Sequence, residues 1–190
     1  MFSGNQRNMG FVANTAPALV AATSARIVAV NGGASDAIQA LLARLAQRWT
    51  ADGTRVSGVV EEARNGLSKR DGGTRLRNLQ SGVAYDIYQD LGPQSTACCL
   101  DARGFAEACQ HVVDEIARCD VVVLSKFGKL ESERGGLLAA FTAAALLEKP
   151  VLTAVSPAFE ASYLAFVGPY GAIVPPSEPD LYAWGHATIS

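Results

Sequence analysis

An α/β fold, with a mostly parallel sheet between layers of helices, is predicted by three observations. Short β-branched runs alternate with segments of helical period. The first run opens directly into the turn Asn31-Gly32-Gly33. The most strand-like run, Val121-Val122-Val123-Leu124, lies between two helical segments, as a central parallel strand does.

The core starts at Arg26-Ile27-Val28-Ala29-Val30, a buried strand by composition, followed by the turn Asn31 to Asp36. Ile38, Leu41, Leu42, Leu45 and Trp49 then share one face of a helix that Asp52-Gly53 ends. With the strand Arg55 to Val60 this makes a β-α-β unit, for which a right-handed crossover is expected. Residues 61–73 carry Glu61, Glu62, Arg64, Lys69, Arg70 and Asp71 among glycines and predict a mobile loop. Thr74 to Leu79 and Val83 to Tyr88, joined through Gln80-Ser81-Gly82, predict an attached β-hairpin.

Beyond Gln89-Asp90-Leu91-Gly92-Pro93, helical period runs from Asp101, a suitable N-cap, to Arg118. The strand Asp120 to Leu124 follows, then a helix over Gly135 to Lys149 that Pro150 stops. Val151 to Val155 reads as a strand, Ser156-Pro157 as the start of a helix, and Ala172 to Val174 as a last short strand.

A length of 190 residues with 49% hydrophobic content suits one domain, taken as residues 25–190. Residues 1–24, with Asn5, Asn8, Asn14, Thr15 and Pro17 and no helical period, predict a flexible tail. Ala16 to Ala25 resembles a signal peptide only weakly, because Arg7 is the sole charge of its n-region and Asn14 and Pro17 break its apolar stretch. Lys+Arg 16 against Asp+Glu 18 gives a net charge of -2, which excludes broad attraction to nucleic acid or anionic membrane. An anion site must therefore be local. Cys98, Cys99, Cys109 and Cys119 form neither a CxxC pair nor a disulfide framework, which suits a reducing cytoplasm. Cys109 shares a helical face with Phe105, Val112 and Ile116 and reads as core.

Ligands of open α/β sheets collect beyond the carboxyl ends of the strands, here after Val30, Val60, Leu124 and Val155. A phosphate loop of the G-x-x-x-x-G-K-[ST] form uses backbone N–H groups, a helix N-terminus and a lysine. After Val30 the loop is short and has no lysine, leaving Asn31, Gly32, Gly33, Ser35 and Asp36 as candidate ligand-binding residues. Asp36 favours the helix dipole by about 0.3–1 kcal/mol, yet repels a phosphate about 4 Å away by roughly 1–4 kcal/mol. The plainer reading is a strand-to-helix turn.

Cations are supplied by the segment Ser125 to Gly136, where Ser125, Lys126 and Gly128 are candidate ligand-binding residues and Lys129 and Glu131 candidate catalytic ones. The plainer reading there is a solvated charged loop. His111 and His186 read as surface residues, no nucleophile–histidine motif stands out, and no metal-ligand set is assigned.

Gln89-Asp90-Leu91-Gly92-Pro93, Cys98, Leu100-Asp101, Ser125 to Lys129, Glu131 and Gly135-Gly136-Leu137 together resemble a bacterial domain family of unknown function, often encoded beside molybdate ABC transporter genes. The likeness spans residues 26–186 and adds Gln89 and Asp90 to the candidate ligand-binding set. That family in turn resembles the thermophile-type P-loop nucleoside-triphosphatases, whose central strand ends in D-E-x-G-K-x-E. Gly128, Lys129 and Glu131 match, whereas Ser125 and Lys126 replace the acidic pair, and Cys99 stands where the family is usually basic. The resemblance implies a P-loop-like fold without ordinary hydrolysis.

Three functions follow as expectations. The first is an accessory protein that holds a nucleotide or a tetrahedral oxyanion such as molybdate. The second is a nucleoside-triphosphatase in which Asp36, Glu131 or Glu133 binds Mg²⁺ and Lys126 or Lys129 replaces the missing lysine. The third is a non-catalytic protein-interaction module. The expected partner is a small anion, with Mg²⁺ accompanying a nucleotide, and neither nucleic-acid binding nor membrane insertion.

Overall fold

The computed structural model describes residues 24–64, 73–87 and 102–189. Residues 1–23 of the expected tail, the part of the expected loop holding Lys69, Arg70 and Asp71, the expected N-cap Asp101, and the segments holding Gln89, Asp90, Cys98 and Cys99 lie outside the described residues.

Strand β1 (Ile27–Val30) buries Ile27 and Ala29 on one face and Val28 and Val30 on the other. It feeds α1 (Ser35–Ala51), whose predicted stripe from Ile38 to Trp49 is buried. Complete burial of Leu42 and Leu45 contributes roughly 1.5–3 kcal/mol each. Strand β2 (Val56–Ala63) runs three residues beyond its expected end at Val60. Glu61, Glu62 and Ala63, expected in a loop, instead pair antiparallel with Leu76, Arg75 and Thr74. The Glu62 charge is matched within the sheet, since Arg75 and Arg77 both donate to its carboxylate.

The hairpin appears as β3 (Thr74–Asn78) and β4 (Ala84–Asp86). The Asn78 side chain shapes its turn by accepting the N–H groups of Gln80 and Ser81, each at 2.8 Å. Helix α2 (Ala102–Ile116) leads to β5 (Val121–Leu124). The expected charged loop contains a single helical turn, α3 (Lys129–Ser132), and the following helix α4 is narrower than expected, Leu138–Leu146. After β6 (Val151–Ala154), Pro157–Phe159 form a 3-10 turn before α5 (Glu160–Val167). Ser156 makes no capping hydrogen bond through its side chain.

Beyond β7 (Gly171–Val174) lies α6 (Glu178–Ile189), which the sequence reading left without an element. Pro179 and Gly185 weaken its local helical signal, and tertiary packing overrides them. Trp184 packs against Trp49 with ring centroids 6.5 Å apart and donates its indole N–H to the Ala25 carbonyl at 2.9 Å.

The seven strands form one sheet in the order β4-β3-β2-β5-β6-β1-β7. β2, β5, β6, β1 and β7 are parallel, and β3 and β4 are joined antiparallel at the edge. Helices α1 and α6 cover the face bearing Val28, Val30, Val121 and Val123. Helices α2, α4 and α5 cover the face bearing Ala29, Val122, Leu124 and Val151. The three-layer α/β expectation therefore holds. No helix among the described residues is long and apolar enough to cross a membrane.

Candidate functional site at the carboxyl edge of the sheet

Parallel pairing brings the ends of β1, β5 and β6 together at one edge. The loop after β1 is shaped by Asn31, whose carboxamide oxygen accepts the Gly32 N–H at 2.6 Å and whose NH₂ donates to Glu160. Gly32 takes a left-handed φ of 101°. The N-cap of α1 is Ala34, which has no side-chain acceptor to offer the first turn. Helix geometry leaves the first-turn N–H groups without intrahelical acceptors, so α1 presents a partly positive terminus beside Ser35. Asp36 accepts the N–H of Ala37 at 3.0 Å.

The segment after β5 is tied down more firmly. The Phe127 N–H donates to the Ala154 carbonyl at 2.8 Å, and the buried Phe127 ring packs edge-on against Phe141 and Tyr163. Glu131, only 5% exposed, accepts the Gly128 N–H at 2.9 Å and the Leu137 N–H at 2.8 Å. Burial raises its pKa above the ordinary carboxylate value, outweighing the opposing hydrogen bonds from Leu137 and Gly128. Lys129 is 64% exposed, with its ammonium 3.9 Å from Glu133.

Lys126 reaches the opposite way, to the Glu61 carboxylate at 2.6 Å. The Glu61 side chain is 7% exposed, against 44% for Lys126. Gln39 of α1 accepts the Glu61 N–H at 2.8 Å and donates to the Ser125 carbonyl at 2.6 Å. One buried carboxamide thus joins α1 to the ends of β2 and β5.

A cavity of about 300 Å³ opens at this edge. Its lining includes the polar residues Ser35, Ser125, Lys126 and Ser156 and the apolar residues Ile87, Phe105 and Phe159. Gly128, Lys129 and Glu131 also line it. A neighbouring cavity of about 100 Å³ is lined by Asn31 and Gly33, and shares Ser35, Lys126 and Ser156 with the first. Asp36 instead lines a cavity of about 490 Å³ between α1 and the β2–β3 pair, with Gln39, Glu61 and Glu62.

The structure therefore gathers Asn31, Gly33, Ser35, Ser125, Lys126, Gly128, Lys129 and Glu131 around two adjoining cavities, with Gly32 in the turn beside them and Asp36 to one side. Sequence reasoning missed Gln39, Glu61, Ser156 and the aromatic lining. Ser156 was within reach, since it directly follows a strand already marked as ending at a ligand edge. Gln39 was also detectable, as a polar residue beside the apolar stripe of α1. Among the described residues, no group of three or more His, Cys, Asp or Glu is placed to hold a metal ion.

A mostly parallel sheet whose first strand opens through a glycine turn into a helix N-terminus, with cavities beyond the strand ends, defines a P-loop-like α/β protein. The same fold occurs in the crystal structure of THEP1 from the hyperthermophile Aquifex aeolicus. The two match with a TM-score of 0.53 at 12% identity, over 80% of this chain and 88% of that one. Within that class the chain belongs to the family described as Protein of unknown function (DUF2478), whose model matches residues 27–184. It is also 32% identical over 166 residues to the Molybdenum import ATP-binding protein ModC 2 of Bradyrhizobium diazoefficiens. That match takes in 87% of this chain but spans only 18% of the relative's length.

Proposed function

We propose that this chain is an accessory nucleotide-binding protein that holds its ligand without hydrolysing it. The observation that carries the reading is a single cavity lined by both polar donors and apolar side chains. Ser35, Lys126 and the α1 terminus offer donors to a phosphate, while Ile87, Phe105 and Phe159 offer apolar contact to an organic ring. A volume of about 300 Å³ is at the lower end of the range for organic ligands, roughly 300–1,000 Å³, and is large for a bare oxyanion. The ATP-binding name of the Bradyrhizobium relative supports the same class of ligand.

Loss of hydrolysis follows from what the strand ends carry. P-loop enzymes hold Mg²⁺ through a hydroxyl and a strand-end carboxylate. Here β5 is followed by Ser125, whose side chain is buried, and by the cation Lys126, to which Glu61 is committed. These residues do not fit a protein-held Mg²⁺, and no step is assigned to one. Glu131 spends its carboxylate on backbone N–H groups and is proposed to hold the loop rather than to activate water.

Calorimetric titration with AMP, ADP, ATP, phosphate and molybdate tests the proposal. At least one nucleotide is expected to bind, with affinity falling about tenfold or more in Lys126→Ala, as loss of a charge-assisted contact predicts. Binding of none of the nucleotides refutes it. So does Mg²⁺-dependent phosphate release that disappears in Lys129→Ala or Glu131→Ala. A second reading, a site for a tetrahedral oxyanion, draws on the molybdenum-import name of the same relative. It predicts that molybdate binds and the nucleotides do not.

A further inference from the structure

We infer that Glu61 sets the charge preference of this site, favouring ligands with few phosphate charges over those with many. The inference rests on the nucleotide reading above and deepens it. Lys126 is the cation common to both cavities, and Glu61 is its buried counter-charge at 2.6 Å. A ligand phosphate and Glu61 therefore compete for one ammonium. The remaining attraction comes from the α1 terminus, equivalent to at most roughly half a charge and offset by Asp36 in its first turn, and from Lys129, which lines the 300 Å³ cavity but is 64% exposed and lies 3.9 Å from Glu133. Other carboxylates nearby add repulsion or are already engaged: Asp36 lines the separate 490 Å³ cavity between α1 and the β2–β3 pair, Glu160 accepts from Asn31, and Glu131 is buried in its own loop. Each added phosphate charge thus meets a nearly neutral pair instead of a free cation.

This arrangement inverts what an uncompensated lysine does, for which affinity rises with each phosphate. Glu61→Gln is a suitable probe because Gln39 holds the backbone N–H of residue 61 and not its side chain. The substitution removes the charge while retaining the strand contact. AMP, ADP and ATP are titrated calorimetrically into wild type and Glu61→Gln at pH 8, with EDTA present so that the ligands carry their own charge.

Wild type is expected to bind ATP no more tightly than AMP. Glu61→Gln is expected to bind all three more tightly, with the gain growing by roughly three- to tenfold per added ligand charge for charges about 6 Å apart at intermediate dielectric. A role for Glu61 in folding alone predicts a change that is equal across the three nucleotides, and that result overturns the inference. An affinity that rises from AMP to ATP in wild type overturns it without any variant. Failure of all three nucleotides to bind either protein defeats the nucleotide reading itself, whereas ungraded binding defeats only the role of Glu61.

Discussion

In the loop after β1, Asn31 satisfies its immediate neighbour Gly32 and reaches Glu160, the N-cap Ala34 offers no side-chain acceptor, and among the first-turn donors of α1 the Ala37 N–H is met by Asp36. In the segment after β5, a buried carboxylate binds backbone groups on both sides of α3, at Gly128 and Leu137. The second segment carries far more charge in sequence, yet much of that charge is turned inward or toward other side chains. Lys126 goes to Glu61, Lys129 to Glu133, and Glu131 to the loop itself. Charge density along a chain therefore need not mark the place of ligand contact. On the proposed reading, the contacts are carried instead by the donors at the start of α1, on the less charged loop.

The comparison breaks most readily at Glu131. Glu131→Ala leaves two buried N–H groups without their acceptor, so a loss of about 2–5 kcal/mol is expected in urea-unfolding measurements. The pH dependence has a definite sign. Because burial raises the folded-state pKa of Glu131 above its ordinary value of 4.5, its contribution is complete below that value and declines as pH rises through the raised one. The stability gap between wild type and Glu131→Ala should therefore narrow above pH 4.5. A gap of under 1 kcal/mol at every pH would mean that the segment after β5 is as lightly held as the loop after β1.

Gly136 tests the same packing from the other side. Its φ is +58°, and an added Cβ would come within 2.2 Å of the Glu131 carboxylate oxygen. Gly136→Ala is expected to cost about 2 kcal/mol by equilibrium unfolding, from left-handed strain and crowding together. Smaller losses would show that Glu131 has room to move.

How much of this was legible beforehand depended on whether a residue's partner was local. β1, β5 and β6 could be read because their β-branched runs are buried on both faces, and α1 because Ile38 to Trp49 keep a helical period. The location of the cavities at the strand ends was legible for the same reason. Glu61 and Glu62 were misread as loop because Arg75, Arg77 and Lys126, which satisfy them, are distant in sequence. α6 was passed over because what fixes it is Trp184 against Trp49, not its own composition. Glu131 was legible in position but not in structural role, although Gly128 and Glu131 have the spacing of an N-cap and its N3 carboxylate.

Lys126→Met probes a smaller energy and a larger functional effect. It leaves Glu61 buried without its counter-charge, but Lys126 is 44% exposed, so the stability cost is discounted to about 1 kcal/mol. Nucleotide affinity should fall about tenfold or more in calorimetry. A variant that loses stability but keeps its affinity would assign Lys126 wholly to the scaffold, leaving the α1 terminus as the anion-binding element.

The smallest effect is expected at Lys129, and it decides whether the division between the loops holds. Its ammonium is 64% exposed and its 3.9 Å pair with Glu133 is equally open to solvent, so Lys129→Ala should change stability by less than about 0.5 kcal/mol. Lys129 does line the 300 Å³ cavity, and an ordered phosphate could draw its flexible side chain inward. If the donors of α1 and Lys126 carry the ligand, nucleotide affinity in Lys129→Ala should stay within about threefold of wild type, as screening of an exposed charge predicts. A loss of tenfold or more, with stability unchanged, would place a ligand contact on the loop that otherwise uses its charge internally. The segment after β5 would then serve both roles, with Glu131 holding the turn from which Lys129 reaches the phosphate.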